Sequence, residues 1–128
     1  EQGGARYDGC TRMFDDCVGR VLDVLQEQGL DDNTIVMVTG DHGDDLYEPG
    51  ATLGHGLGFN GGDQANHVPF VLRVPGRAAR HFDEPVRTID VAPTLAELAG
   101  AELPDAWEGR SLAPWIDGRE QPLPRAVR

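Results

Sequence analysis

The stretch "TIVMVTGDHGDD", residues 34–45, decides the reading of the fold. Its first six residues are β-branched or apolar, with hydroxyls only at the ends. A continuous apolar run of this length suits a strand inside a parallel or mixed sheet, where both faces are covered. The run then stops at Gly40 and gives way to Asp41, His42, Gly43 and two further acids. A buried strand thus delivers a carboxylate and an imidazole, adjacent in sequence, at its carboxyl end. In open α/β sheets that end is where ligands bind.

The segment before the strand supports the same reading. Phe14, Val18, Val21, Leu22 and Leu25 recur at helical spacing, which predicts a helix over residues 7–28 with one stripe facing a core. Gly29 is suited to close that helix, and "LDDN" forms the following turn. Helix, tight turn and buried strand make half of a βαβ repeat, so the fold class is α/β. Farther on, "PFVLRV" (residues 69–74) reads as a second short strand stopped by Pro75 and Gly76. A helix is expected from about Ala92 and Pro93 to Gly100, with Pro93 in its first turn. Residues 101–128, rich in Pro, Gly and Trp, are expected to be an irregular tail.

Between the two strands runs a long loop from Asp41 to about Val68 that holds three of the four histidines. Loops of such length in a compact domain are generally functional or disordered, and this one reads as functional. Past the strand end the alternation of side chains lapses, and the flanking glycines free the backbone to turn. Asp41 and His42 can then reach a single cation. One carboxylate oxygen plus one imidazole nitrogen suits a borderline divalent ion such as Zn2+ or Mn2+, whereas Ca2+ usually takes oxygen alone. His55, set among glycines in "LGHGLG", is a candidate to bind an anionic substrate or protonate a leaving group. His67 in "QANHVPF" is a further candidate for substrate binding. Asp44, Asp45 and Glu48 read as solvated or supporting acids, and His81 as a surface residue.

Composition narrows the partners. The net charge is −11, and all 11 basic residues are Arg. No basic stripe exists to neutralise phosphates, which argues against nucleic acid and anionic membranes as partners. No apolar run approaches the ~20 residues of a membrane span. Cys10 and Cys17 lie seven residues apart on the predicted helix, roughly 10 Å along its axis, too far for a disulfide. They read as small buried hydrophobes.

Five landmarks occur in order: "YDGCTRMFDDCVGRVL", "TGDHG", "VPFVLRVPG", "DVAPTL" and "GRSL". In that order they resemble the C-terminal part of the sulfatase family, within the alkaline-phosphatase-like superfamily. The resemblance covers nearly the whole chain. It implies a three-layer α/β/α sandwich of the alkaline-phosphatase-like type, present here as its C-terminal segment only. It implies that Asp41 and His42 are ligands of the active-site divalent cation, Ca2+ first by family habit, with Zn2+ or Mn2+ as alternatives. His55 falls near the position where many members place a sulfate-contacting Lys; with no Lys in the chain, His55 is expected to take that role. Asp90, Pro93, Thr94, Gly109, Ser111 and Leu112 match landmarks of a structural kind.

The chain also departs from the pattern. The family nucleophile sits in Cys/Ser-x-Pro-x-Arg, and neither "CTRMF" nor "CVGRV" fits it. The Asp-Asp pair that completes the metal site has no counterpart either. Both are expected before residue 1, in an upstream part of the same polypeptide, so the isolated segment is expected to be inactive. The complete protein is expected to be a metal-dependent hydrolase of small-molecule or glycan sulfate esters. The alternatives are a phosphoesterase or phosphoryl (phosphoethanolamine) transferase of the same superfamily and, in another class, a non-catalytic remnant or binding module.

Overall fold

The computed structural model describes residues 2–46 and 62–119, which fall into two compact units, 1–77 and 78–128. The first unit opens with helix α1, Gln2–Glu27, followed by a single 3-10 turn, Asp31–Asn33. Strand β1 (Val36–Thr39), the short helix α2 (Asp63–Asn66) and strand β2 (Phe70–Arg73) complete it.

The end of α1 follows from its sequence. Gly29 takes a φ of +66°, which a side chain would strain, and its N–H donates to the Gln26 carbonyl at 3.0 Å. The Leu30 N–H reaches back to the Leu25 carbonyl at 2.8 Å. Two of the carbonyls left over at the helix end are thereby satisfied. Thr34 Oγ1 then donates to the Leu30 carbonyl at 2.8 Å and sets the approach to β1.

β1 and β2 pair antiparallel, with Val36 opposite Arg73 and Thr39 opposite Phe70. Among the described residues this is a two-stranded sheet, so the covered interior read from "TIVMVT" is present as one antiparallel pair. All four β1 residues are half-buried, less than the fully covered strand expected from the continuous apolar run. β2 alternates, with Phe70 and Leu72 inward and Val71 and Arg73 outward. Arg73 fastens the far end: Nη1 donates to the Asp31 carbonyl at 2.9 Å and Nη2 to Asp31 Oδ2 at 3.4 Å.

Several expectations for this unit need correction. Cys10 and Cys17 are exposed free thiols, not buried hydrophobes. In the predicted inward stripe, Val18, Leu22 and Leu25 are half-buried, but Phe14 and Val21 are each 55% exposed. The unit is too small to cover a helix whose apolar surface runs this far around its circumference. The loop expected over residues 41–68 contains α2, and residues 47–61, including His55, Glu48 and Asn60, lie outside the described set.

The second unit is organised around Asp90. A 3-10 turn, Thr88–Asp90, leads into helix α3, Val91–Leu98, with Pro93 in its first turn. Gly100 (φ +75°) closes the helix just past its last residue, at the place expected. Asp90 is 0% exposed. Its Oδ1 accepts from Arg87 Nη2 at 3.0 Å and from the Arg110 backbone N–H at 2.9 Å. Its Oδ2 accepts from the Arg87 backbone N–H and Nε, both at 3.4 Å. The side-chain hydrogen bond to Asp90, and next its charge, raise the Arg87 pKa. Thr94 Oγ1 donates to the Asp90 carbonyl at 2.6 Å and accepts the Leu112 N–H at 2.9 Å. Gly109 lies so close to Ile89 that a Cβ would run into its carbonyl oxygen. The landmarks Asp90, Pro93, Thr94, Gly109 and Leu112 are thus one packed knot. Ser111 joins by accepting the Ala113 N–H at 3.1 Å. The tail expected to be irregular contains a helical turn, α4 (Ala113–Ile116), whose Trp115 packs edge-on to Phe82 at 4.6 Å.

Candidate functional site

The candidate site lies just past β1, in the first unit. Thr39 is the last paired residue, and Gly40 opens the turn. Gly40 packs tightly enough on Val68 and the His42 carbonyl that a Cβ would meet the latter at 3.2 Å. Asp41 Oδ1 accepts the His42 backbone N–H at 3.0 Å. The carboxylate bonds the start of its own turn, as Asp does in tight turns. Its other oxygen, Oδ2, stands 3.8 Å from His42 Nε2. The two side chains therefore come to one side of the turn, although neighbours on a regular strand would face opposite ways. They are open to solvent, 90% exposed for Asp41 and 41% for His42.

Gly43 holds the imidazole. Its carbonyl lies 2.9 Å from His42 Nδ1. A carbonyl only accepts, so Nδ1 carries the proton, and Nε2 is the basic nitrogen of the neutral ring. Anchoring one ring nitrogen on a carbonyl while the other faces a cation is how metal-binding histidines are usually oriented. The Gly43 N–H donates to the Ala65 carbonyl at 2.8 Å, and a Cβ at Gly43 would run into the Gln64 carbonyl oxygen. α2 is thus the rigid seat for the turn, and only glycine fits against it. The His42 pKa is raised above its ordinary value. The bond to Gly43 is the larger cause and the Asp41 charge the next.

The donor set fits a divalent cation: one carboxylate and one oriented imidazole on a solvent-facing turn. Among the described residues no three His, Cys, Asp or Glu side chains cluster closely enough to enclose an ion. Asp44, Asp45 and His67 therefore do not join the pair, and further ligands would come from outside these residues. His67 follows α2 with an exposed side chain, and its backbone N–H donates to the Asp63 carbonyl at 2.7 Å. His81 is a surface residue as expected, with Nε2 3.1 Å from Asp83 Oδ1. His55 lies outside the described residues.

Of the two places expected for Asp45, solvated or supporting, the first is excluded. It is 1% exposed, and among the described residues neither carboxylate oxygen has a hydrogen-bond partner. Burying such a group without a partner is costly. Nothing in "GDD" marks the second acid as the inward one. Gly43 was also missed as a site residue. Its signal was present, since a glycine straight after a candidate ligand indicates close backbone approach.

Comparison with known proteins bears on both the fold and the chemistry. A family model described as Sulfatase matches residues 2–101. The multifunctional alkaline phosphatase superfamily protein PehA of Trinickia caryophylli is 38% identical over 115 residues, covering 88% of this chain and 22% of that protein. The steryl-sulfatase of Homo sapiens is 33% identical over 128 residues, covering 90% and 22%. The solved structure of a phosphonate monoester hydrolase from Silicibacter pomeroyi superposes with a TM-score of 0.71 at 37% identity, covering 84% of this chain and 21% of that one. The chain thus spans about a fifth of the length of the relatives it matches. The fold is that of a segment of the α/β, alkaline-phosphatase-like type.

Proposed function

The chain belongs to the sulfatase family, and we propose that it is the metal-binding C-terminal portion of a sulfuric ester hydrolase. The observation that carries this reading is the convergence of Asp41 Oδ2 and His42 Nε2, 3.8 Å apart, at the carboxyl end of β1. Asp41 supplies negative charge, and His42 supplies a nitrogen whose direction Gly43 fixes. A divalent cation bound there, Ca2+ by family habit or else Zn2+ or Mn2+, would draw charge from the ester oxygens and stabilise the charge that develops as the bond breaks. His55 is assigned to the substrate side, as a hydrogen-bond donor to the anionic group or a proton donor to the leaving oxygen. His67 is assigned a weaker substrate contact. The attacking group and the other metal ligands belong to the part of the polypeptide that the relatives have and this segment does not, so the segment alone is expected to be inactive. The substrates are small-molecule or glycan sulfate esters.

A second reading, a phosphoester or phosphonate ester hydrolase of the same superfamily, is supported by the likeness to the Silicibacter pomeroyi enzyme. One experiment separates them. The intact polypeptide is assayed with an aryl sulfate and an aryl phosphonate, with and without EDTA. Its metal affinity is titrated in the parent, Asp41→Ala and His42→Ala proteins. Each substitution is expected to weaken metal binding by about 100-fold or more, at or above the upper end of the effect of losing an outer-shell partner. Unchanged affinity in both variants would end the proposal, and faster cleavage of the phosphonate would favour the second reading.

A further inference from the structure

The last carbonyls of a helix lack a partner inside it. In α2 one of them, that of Ala65, finds its donor outside, in the Gly43 N–H at 2.8 Å. That N–H belongs to the peptide unit leaving His42. The Gly43 carbonyl in turn lies 2.9 Å from Nδ1 of the same histidine. Main chain and ring of His42 are thus both tied, across one glycine, to Ala65. α2 is itself well fastened. The Gly62 carbonyl accepts from the Ala65 N–H at 3.0 Å, the Asn66 N–H at 3.1 Å and Asn66 Nδ2 at 3.2 Å. The Ala65 side chain is 2% exposed, so it cannot grow without moving α2 or the turn. Val68 makes a second contact, with two side-chain carbons 3.4 Å from where a Cβ on Gly40 would sit. The turn 40–43 is therefore held at both ends by residues 65–68.

We propose that Ala65 is a positioning residue for the metal, whose carbonyl and small side chain set where His42 Nε2 points and which ring nitrogen keeps the proton. This rests on the reading that Asp41 and His42 bind a divalent cation. Ala65 acts through Gly43 and offers the cation no side-chain donor. A neutral imidazole can hold its proton on either nitrogen, and the form with Nδ1–H leaves Nε2 free to bind. Fixing Gly43 fixes that choice before a cation arrives, as the outer partners of metal-binding histidines do. Asp41 is oriented by a bond within the turn itself, Oδ1 accepting the His42 N–H at 3.0 Å. The effect of Ala65 therefore runs through the ring of His42.

The test uses the intact polypeptide at mildly alkaline pH, where the ring is neutral. With 15N-labelled histidine, the metal-free parent should show His42 in the Nδ1–H form, assigned by its loss in His42→Ala. Ala65→Val should give a mixture of both forms and weaken metal binding by about tenfold, the low end of the effect of an outer-shell partner. Ala65→Gly, which keeps the carbonyl and drops the methyl, should recover most of what valine loses. The valine effect should persist in the Asp41→Ala background and vanish in His42→Ala. Ala65→Cys, a smaller enlargement, is read in the same way if urea unfolding shows that the valine variant does not fold. His42 in the Nε2–H form in the parent overturns the proposal. So does an equal loss of affinity from Ala65→Val with and without His42, which would leave Ala65 as packing alone. Unchanged metal affinity in His42→Ala overturns the metal reading as well, and it is seen without the ring signals, so the two failures are distinguishable.

Discussion

Asp41 and Asp90 are the same residue put to opposite uses. Asp90, in the second unit, is 0% exposed, and its carboxylate receives four N–H donors from Arg87 and Arg110. Asp41, in the first unit, is 90% exposed and turns one oxygen to a backbone N–H and the other toward an imidazole. Burial with saturated hydrogen bonding makes a carboxylate a structural tie, because any ligand would have to displace donors already in place. Exposure beside an oriented histidine keeps the carboxylate accessible to a cation. Burial is what separates the structural aspartate from the one proposed here as a ligand.

The comparison is broken most severely by Asp90→Ala. It strips the acceptor from the Arg110 N–H and leaves the Arg87 donors unmatched. Arg87 is 40% exposed and can turn to water, so the loss is that of the hydrogen bonds to a buried carboxylate, about 1.5–3 kcal/mol. Urea unfolding of the intact polypeptide measures this, and metal affinity of the folded fraction should not change. A loss below about 1 kcal/mol would show that the knot is not a tie.

Gly43→Ala sharpens the other side. A methyl group there meets the Gln64 carbonyl and the Ala65 backbone, so α2 or the turn must shift. Overpacking of this kind costs about 1–3 kcal/mol. Because Gly43 also holds His42 Nδ1, metal affinity should fall together with stability. A variant that loses stability but keeps parental affinity would separate the seat from the ligand.

The smallest expected effect is a pH dependence. The folded-state pKa of His42 is raised, so its contribution to stability is fully present below the ordinary histidine value of about 6.5 and is lost as pH rises through the raised value. A cation held by Nε2, as proposed, would compete with the same proton. Metal affinity should therefore climb about tenfold per pH unit below that raised value and level off above it. A chelator competition series from acid to mildly alkaline pH reads this, and a flat profile would remove Nε2 from the site.

Much of this was legible in the sequence. The continuous run "TIVMVT" marked β1, Gly29 and Gly100 marked two helix ends, and Asp41 with His42 stood out because acid and imidazole follow a buried strand directly. These are local signals, carried by period, by glycine and by adjacency. What the sequence did not reveal depends on what packs against what. Phe14, Val21, Cys10 and Cys17 have the spacing of core residues, yet periodicity does not say whether the covering layer lies in the same segment. Asp45 follows Asp44 in an acidic run, and nothing local distinguishes the one that is buried. The four donors on Asp90 come partly from Arg110, twenty residues away, and no short-range pattern encodes that distance.

The edge-on contact of Phe82 with Trp115 has a spectroscopic consequence. Both tryptophans of the chain, 107 and 115, belong to residues 78–128. Within residues 1–128 the indole signal therefore originates in that half, and Trp115, released from its ring partner, should shift its emission to the red. A second probe, blind to indole, is needed to follow the half that carries Asp41 and His42.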